Sequence, residues 1–193
     1  MPLFDIGGPQ YGLRDCKVAT NNNDGTFGNN VDVPSVQMLR GQLQTVNAQL
    51  EGDDRITATA ARGISAQITM RWGSVHLDVL EVIMGSTRQD SGSSPNGYSF
   101  VNIDNRKMPY FGIAGRAEAE EGSGNTVLFI PKAKVMEGFQ IEFAYNAFAI
   151  PELTVMAVGD ENFPSEDGDP VIMIPIMYET AQAASLPPYG FGA

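Results

Sequence analysis

One histidine, one cysteine and no basic residue beyond Lys134 set the first limits on this 193-residue chain. Cys16 has no internal disulfide partner, which fits folding in a reducing cytoplasm. Cys16 with a single histidine makes a poor Cys–His site, and a zinc site built from such ligands is excluded. His76 has Asp78 two residues on, a spacing that does not align the two on a helix, so it reads as structural rather than catalytic. No Gly-Lys-Ser/Thr follows the glycines of "FGIAG" or "EGSGN", so there is no phosphate loop. No apolar run is long enough to span a bilayer, and "MPLFDIGGPQ" lacks the basic and apolar regions of a signal peptide.

Basic residues are also scattered singly, without interleaved aromatics, which argues against a nucleic-acid recognition face. The net charge is −11, and nine acids with no base follow Lys134, so neither phosphate backbones nor anionic membranes are attractive partners. Within that acidic run, Glu166, Asp167 and Asp169 of "SEDGDP" are the residues a calcium ion would select. Their spacing does not match an EF-hand, and no metal or other cofactor is expected. Carboxylate pairs for glycoside chemistry abound without any one being singled out. An enzyme has little to stand on here.

What is present is alternation. Hydrophobic residues make up 42% of the chain, enough for a core, and the 21 glycines and 12 prolines are spread as in turn-rich β proteins. "LRDCKVAT" reads as a short strand and "NNNDGTFGNN" as a loop. "VQMLRGQLQTVNAQL" alternates with a change of register near Gly41, a bulge or bend. "EGDD" then turns the chain into "RITATAARGISAQITMRW", residues 55–72, whose strict alternation predicts a hairpin of unusual length that bends near Arg62 and Gly63. "GSVHLDVLEVIMGS" predicts the one helix, with Ser74 as N-cap and Gly85 closing it. "TRQDSGSSPNG" reads as a loop. "PYFGIAGRAEAE", "TVLFIPKAKVM" and "FQIEFAYNAFAI" follow as alternating segments, then an acidic loop "GDENFPSEDGDP" and a buried strand "VIMIPIMYE". The sum is mainly β: an antiparallel β-sandwich or open barrel with one flanking α-helix and a long β-hairpin. It forms one domain over residues 1–193, with an N-terminal arm of about 12 residues and a flexible tail from about 181.

Eighteen strand residues extend roughly 60 Å at about 3.3 Å each, more than a compact domain of this size is wide. A projecting hairpin needs a partner, and the economical one is another copy of the chain, closing a ring. Strands pooled from several copies into one barrel turn their polar faces toward an aqueous channel. The residues expected on that face are Thr45, Asn47, Gln49, Thr57, Thr59, Gln140 and Glu142, while the apolar set packs inside the subunit. Acids on the channel wall would keep DNA from sticking.

The stretches "YGLRDCKVA…DGTFGNNVDVP", "LEGDDRITATAARGISAQITMRWGSVHLDVLEVIMG" and "PYFGIAGRAEAEEGSGNTVLFIPKAKV" resemble the major tail tube proteins of long-tailed bacteriophages, over roughly Tyr11 to Val158. The resemblance implies a virion protein assembled in the host cytoplasm as hexameric rings that stack into a tube. The tape-measure protein and then double-stranded DNA pass through it without sequence-specific binding. Its ends meet terminator and baseplate or tip proteins, and no membrane is involved. Tube proteins of contractile tails share that fold. The family carries no catalytic residues. Ring or stacking contacts are implied for the hairpin tip (Glu51, Asp53, Asp54, Arg55), the loop from Ser86 to Lys107 (Arg88, Arg106, Lys107) and the terminal arms. The competing class is a β-sandwich binding module, such as a virion decoration or host-attachment protein, using loops like "SEDGDP".

Overall fold

The alternation that marks residues 55–72 survives in three dimensions. Ala66, Ile68, Met70 and Trp72 are each at most 1% exposed, and Gln67, Thr69 and Arg71 between them are not buried. The computed structural model describes residues 10–52, 55–93, 95–102, 108–119, 124–136, 139–146, 148–178, 184 and 187. Its elements are β1 (Gln10–Thr20), β2 (Val31–Asp32), β3 (Val36–Gly52), β4 (Arg55–Trp72), α1 (Leu77–Met84), β5 (Arg88–Ser91), β6 (Tyr98–Val101), β7 (Phe111–Ala119), β8 (Asn125–Val135), β9 (Glu152–Ala157), β10 (Asp160–Pro164), β11 (Pro170–Val171) and β12 (Ile174–Tyr178). Eight strands form one antiparallel sheet in the order β2-β1-β7-β8-β9-β4-β3, with β12 also on β8.

The sheet turns a corner at β8. Residues Asn125–Phe129 pair with β12, and Ala133–Val135 pair with β9. Pro131 lies between the two sets and has no N–H to offer a ladder, so the change of partner falls where pairing is weakest. Past this corner the sheet folds over itself. A Cβ added at Gly115 of β7 would sit 2.3 Å from Leu39 Cδ2 of β3, although three strands separate them in the sheet order. The main core fills the space between the layers, with Cys16 and Val18 from β1, Phe111 and Ile113 from β7, and Leu153 and Val155 from β9 facing the β4 row. Burying each large side chain of this kind contributes about 1.5–3 kcal/mol. Ala19, Ala114, Val127 and Phe129 form a second cluster with Phe163 of β10. Since Val18/Ala19 and Ile113/Ala114 are chain neighbours that point to opposite faces, β1 and β7 are covered on both sides. These features make the architecture an antiparallel β-sandwich with one helix.

Helix α1 begins two residues later than Ser74. His76 holds the N-cap position with extended backbone and no side-chain cap, because Gly73 is still donating to the Ser35 carbonyl (2.9 Å). Val79, Leu80, Ile83 and Met84 bury the inner face, whereas Val75 lies before the helix, 39% exposed. Gly85 closes the helix as expected, at φ 68° with its N–H on Glu81 O. A Cβ there would lie 2.9 Å from Pro109 Cδ as well as strain the left-handed backbone. Gly85→Ala is therefore expected to cost about 1–2 kcal/mol, read as a shift in the urea midpoint.

Several expected loops and strands exchange roles. "TRQDSGSSPNG" carries β5 and the turn of the two-stranded hairpin β5–β6, and the acidic loop folds as β10–β11. "VIMIPIMYE" divides into β11 and β12, and Pro175 is accommodated because β12 has β8 as its one strand partner. "FQIEFAYNAFAI" is not a strand; it makes only an isolated bridge, Gln140 with Glu152. The strand in that region is β9, which lies between β4 and β8; β8 pairs only with its Val155–Ala157 half, and Gln140 bridges the other end at Glu152. Of the expected termini, residues 10–12 already belong to β1, while Ala184 is buried and donates its N–H to Asp15 (3.0 Å). No described helix is long and apolar enough to cross a membrane.

Candidate assembly surface

Strands β3 and β4 pair from Val36↔Trp72 to Gly52↔Arg55, with three slips of register. The pairing slips between Gln44 and Thr45, where one extra residue, Ile64, sits on β4 beside Gly63. The bend is thus at Gly63, as expected, and not at Gly41, which pairs with Ile68 in unbroken register. Gly41 serves close approach instead: a Cβ there would lie 3.3 Å from both Ile68 Cδ1 and Met173 Sδ.

Strand β9 accompanies β4 only from Ala66 to Arg71. Beyond that, from Ser65 to Arg55, the two strands continue alone for roughly 35 Å at about 3.3 Å per residue. Residues 41–47 of β3 are exposed without exception, including Leu43 (46%) and Val46 (55%). These two are three apart on a strand, so they present apolar surface on opposite faces. The expectation that one face of the ribbon packs within its own subunit holds from Ala66 to Trp72 and does not extend to Leu43 and Val46. Outside the body, both described faces are open, and a lone two-stranded ribbon is marginal in water.

The outer face of the body sheet is polar and built by register. Arg40, Thr69 and Thr154 form one row, and Gln42, Gln67 and Met156 the next. Gln44 pairs with Ser65, whose hydroxyl donates to Gln44 Oε1 (3.2 Å), and Lys134 lies beside Met156. Arg71 and Glu152 close the end of this face with an ion pair of 3.0 Å.

The structure does not gather the residues expected on a channel wall. Thr45 and Asn47 are exposed, but they alternate out of phase with Gln42 and Gln44 and so lie on the other face of β3. Gln49 and Thr59 are a backbone pair in the ribbon, and Thr57 is skipped where the register slips again. Their side chains lie outside the described residues. Gln140 and Glu142 are exposed on the 139–150 segment, at the opposite end of β4. Gln42, Gln44, Gln67, Thr69 and Thr154 were legible as polar members of alternating runs, but their common face needed the strand order.

Of the expected contact residues, Glu51 and Arg55 close the ribbon by pairing with Ile56 and Gly52. Asp53, Asp54, Arg106 and Lys107 lie outside the described residues. Arg88 is held within the subunit. It donates to Asp78 (3.0 Å), Asp90 (3.2 Å) and Ser99 (3.2 Å), tying β5–β6 to α1. Bonds from Ser99 and Arg88 keep the Asp90 carboxyl below the usual carboxylate range. Glu166, Asp167 and Asp169 sit in an exposed reverse turn whose backbone closes on Ser165. Among the described residues no three His, Cys, Asp or Glu side chains stand together as metal ligands.

Cys16 is buried against Met70, and burial, with Asp15 adding, pushes its thiol up to about 12, so it is no nucleophile. His76 stands 3.9 Å from Asp78 in an open cleft of about 650 Å³ shared with Thr20, Asp32 and Glu81.

A buried polar lock holds the other end of the sandwich. Asn21 donates to Asp160 (2.8 Å) and to the Pro131 carbonyl (2.8 Å), and the Asn162 backbone and side chain both donate to Asp160. Burial pushes the Asp160 carboxyl up, but these bonds and nearby Lys132 outweigh it and leave the value lowered. A lowered folded value stabilises the protein above the unfolded carboxyl value of about 3.9, and the gain disappears as pH falls through the folded value. Asp160→Asn is expected to lower stability at pH 7 and to flatten the acid limb of a melting-versus-pH curve.

Comparison with protein-family models and with curated proteins gives no match.

Proposed function

We propose that this chain is a structural virion protein whose copies form hexameric rings stacked into a tail tube, the conduit for double-stranded DNA and, before it, the tape-measure protein. The observation that carries the reading is the β3–β4 ribbon, hydrogen-bonded to its tip yet bare on both described faces where it leaves the body. A monomer gains nothing from such an element; a ring or stack covers it. The resemblance to phage tail tube proteins supports the same reading.

In this tube the outer face of β3, β4 and β9 forms the body's share of the channel wall. Its amides and hydroxyls make weak, exchangeable hydrogen bonds to a passing polymer. Glu152 is the one acid on the described part of that face, and Arg71 neutralises it. The face also carries Arg40 and Lys134, so acidic repulsion is not what keeps a passing polymer from sticking there. Terminator and baseplate or tip proteins cap the ends. A binding module of the decoration or attachment class leaves Leu43 and Val46 uncovered without a use. Light scattering on concentrated protein tests the proposal: the expected species is six times the 20.8 kDa chain or a multiple of it. A lone 20.8 kDa species at all concentrations would sink it.

A further inference from the structure

The chain has 12 lysines and arginines against 23 acids, so carboxylate partners are plentiful. Arg14, Lys17, Arg71, Arg88 and Arg116 each take one within their own subunit. Among the described residues Arg40, Lys132 and Lys134 stand in no ion pair, and these three share one face. Scattered along the sequence, they are brought together by the strand order. Arg40 stands in the row of Thr69 and Thr154, and Lys134 in the row of Met156, Gln67 and Gln42. Lys132, two residues before Lys134, projects to the same side. Its ammonium lies 4.8 Å from the centre of the Tyr110 ring and that of Lys134 lies 5.3 Å away, so one ring holds both. Both lysines are half-buried, and Arg40 is exposed. Glu152, the acid of this face, lies at its far end in the pair with Arg71, and Glu142 lines the cleft beside it. Asp160 comes near Lys132 but is buried and already accepts three hydrogen bonds from Asn21 and Asn162.

We infer that this face holds the phosphates of duplex DNA through Lys132, Lys134 and Arg40, without reading its sequence. The inference rests on the channel reading of the same face and names what a passing duplex touches there. Two observations select a duplex. The first is charge density. Lys134 and Arg40 are roughly 16 Å apart, three strand spacings of about 4.8 Å across and two residues along. A duplex carries about one charge per 1.7 Å of axis, so about nine fall within that span. An extended acidic chain, even with an acid at every position, offers about half as many. The second is shape. Around the cations stand the amides and hydroxyls of Gln42, Gln67, Thr69 and Thr154, donors that suit phosphate oxygens. An open sheet face has no helix or ribbon to enter a groove, so base edges stay out of reach. The rest of a chain of net charge −11 repels the duplex, which keeps the contact weak and local.

The test uses the full chain, dilute enough to be unassembled, and a fluorescein-labelled duplex of about 30 base pairs at about 20 mM salt. Anisotropy is expected to show binding that weakens as salt rises. The slope of log K against log salt is expected to be about −2.7, the value for three phosphate contacts. Duplexes of unrelated sequence are expected to bind alike. In a Lys132→Gln, Lys134→Gln, Arg40→Gln variant affinity is expected to fall at least about tenfold and the slope to approach zero. Lys132→Arg with Lys134→Arg keeps both charges and is expected to bind as the wild type does. Arg14→Gln removes a cation already paired with Glu118 and is expected to change little. Far-UV dichroism checks that each variant is folded. Should the triple variant not fold, Arg40→Gln alone, at an exposed position, is expected to make the slope shallower by about 0.9.

No binding by the wild type at this salt, or equal affinity and slope in the triple variant, overturns the inference and leaves the tube reading to its own test of rings. Binding by a subunit that never assembles supports the inference and overturns the tube. Poly-glutamate that displaces the duplex at equal charge concentration, and loses affinity in the triple variant, assigns the face to an acidic protein segment and overturns the inference. A marked preference for one duplex sequence overturns it too.

Discussion

A chain in which residues 46–62 are replaced by Asn-Gly folds normally and no longer assembles. Thr45 and Gly63 are a backbone pair, so a two-residue turn closes the shortened hairpin at a natural register. The removed residues lie beyond Ala66–Arg71, the part of β4 that pairs with β9, and beyond the buried row from Ala66 to Trp72. Little of the core depends on them. The expected outcome is a melting temperature within a few degrees of wild type and complete loss of oligomers in sedimentation velocity. If the shortened chain unfolds, the ribbon is part of the core. If it assembles as before, the ribbon is not the assembly element.

Trp72→Ala is expected to remove about 3–5 kcal/mol, a large share of the ~5–15 kcal/mol that holds a domain of this kind together. The indole is fully buried, lies in the main core and stacks on Phe139. Its loss leaves a cavity and removes the stacking partner of Phe139. Trp72→Phe loses volume but also removes an indole N–H that has no hydrogen-bond partner, so its cost is clearly smaller. Urea titrations followed by far-UV dichroism separate the cases. A Trp72→Ala cost below about 1 kcal/mol contradicts the placement of this side chain at the centre of the sandwich.

The hairpin was legible because its alternation is local: each residue of 55–72 declares its face through its neighbours. Gly85 was legible for a similar reason, since a glycine after a helical apolar stripe meets a local geometric demand. Ser74 misled because capping depends on where the preceding chain is held, and Gly73 is held by Ser35 from a distant strand. "FQIEFAYNAFAI" misled more deeply. Alternation says that a segment suits an edge, not that it takes one: β9 holds the ladder on β4, and only Gln140 of the segment bridges it, at Glu152. Strand β9 itself, Glu152–Ala157, has the same short alternation and was not picked out. The expected channel face failed on register. Thr45 and Asn47 alternate with Gln42 and Gln44 along β3, so the two sets lie on opposite faces, and only the pairing of β4 with β9 shows which set joins the polar face of the body sheet. Arg88, implied as a contact between copies, is engaged within its own subunit by Asp78 of α1 and Asp90 of its own hairpin, pairings that spacing alone does not reveal.

Negative-stain electron microscopy of the concentrated wild-type protein tests the tube most directly. The account predicts rings in end view, six-fold symmetric around an open bore, and striated tubes of constant width in side view. A field of monomers, or filaments without a bore, would contradict it.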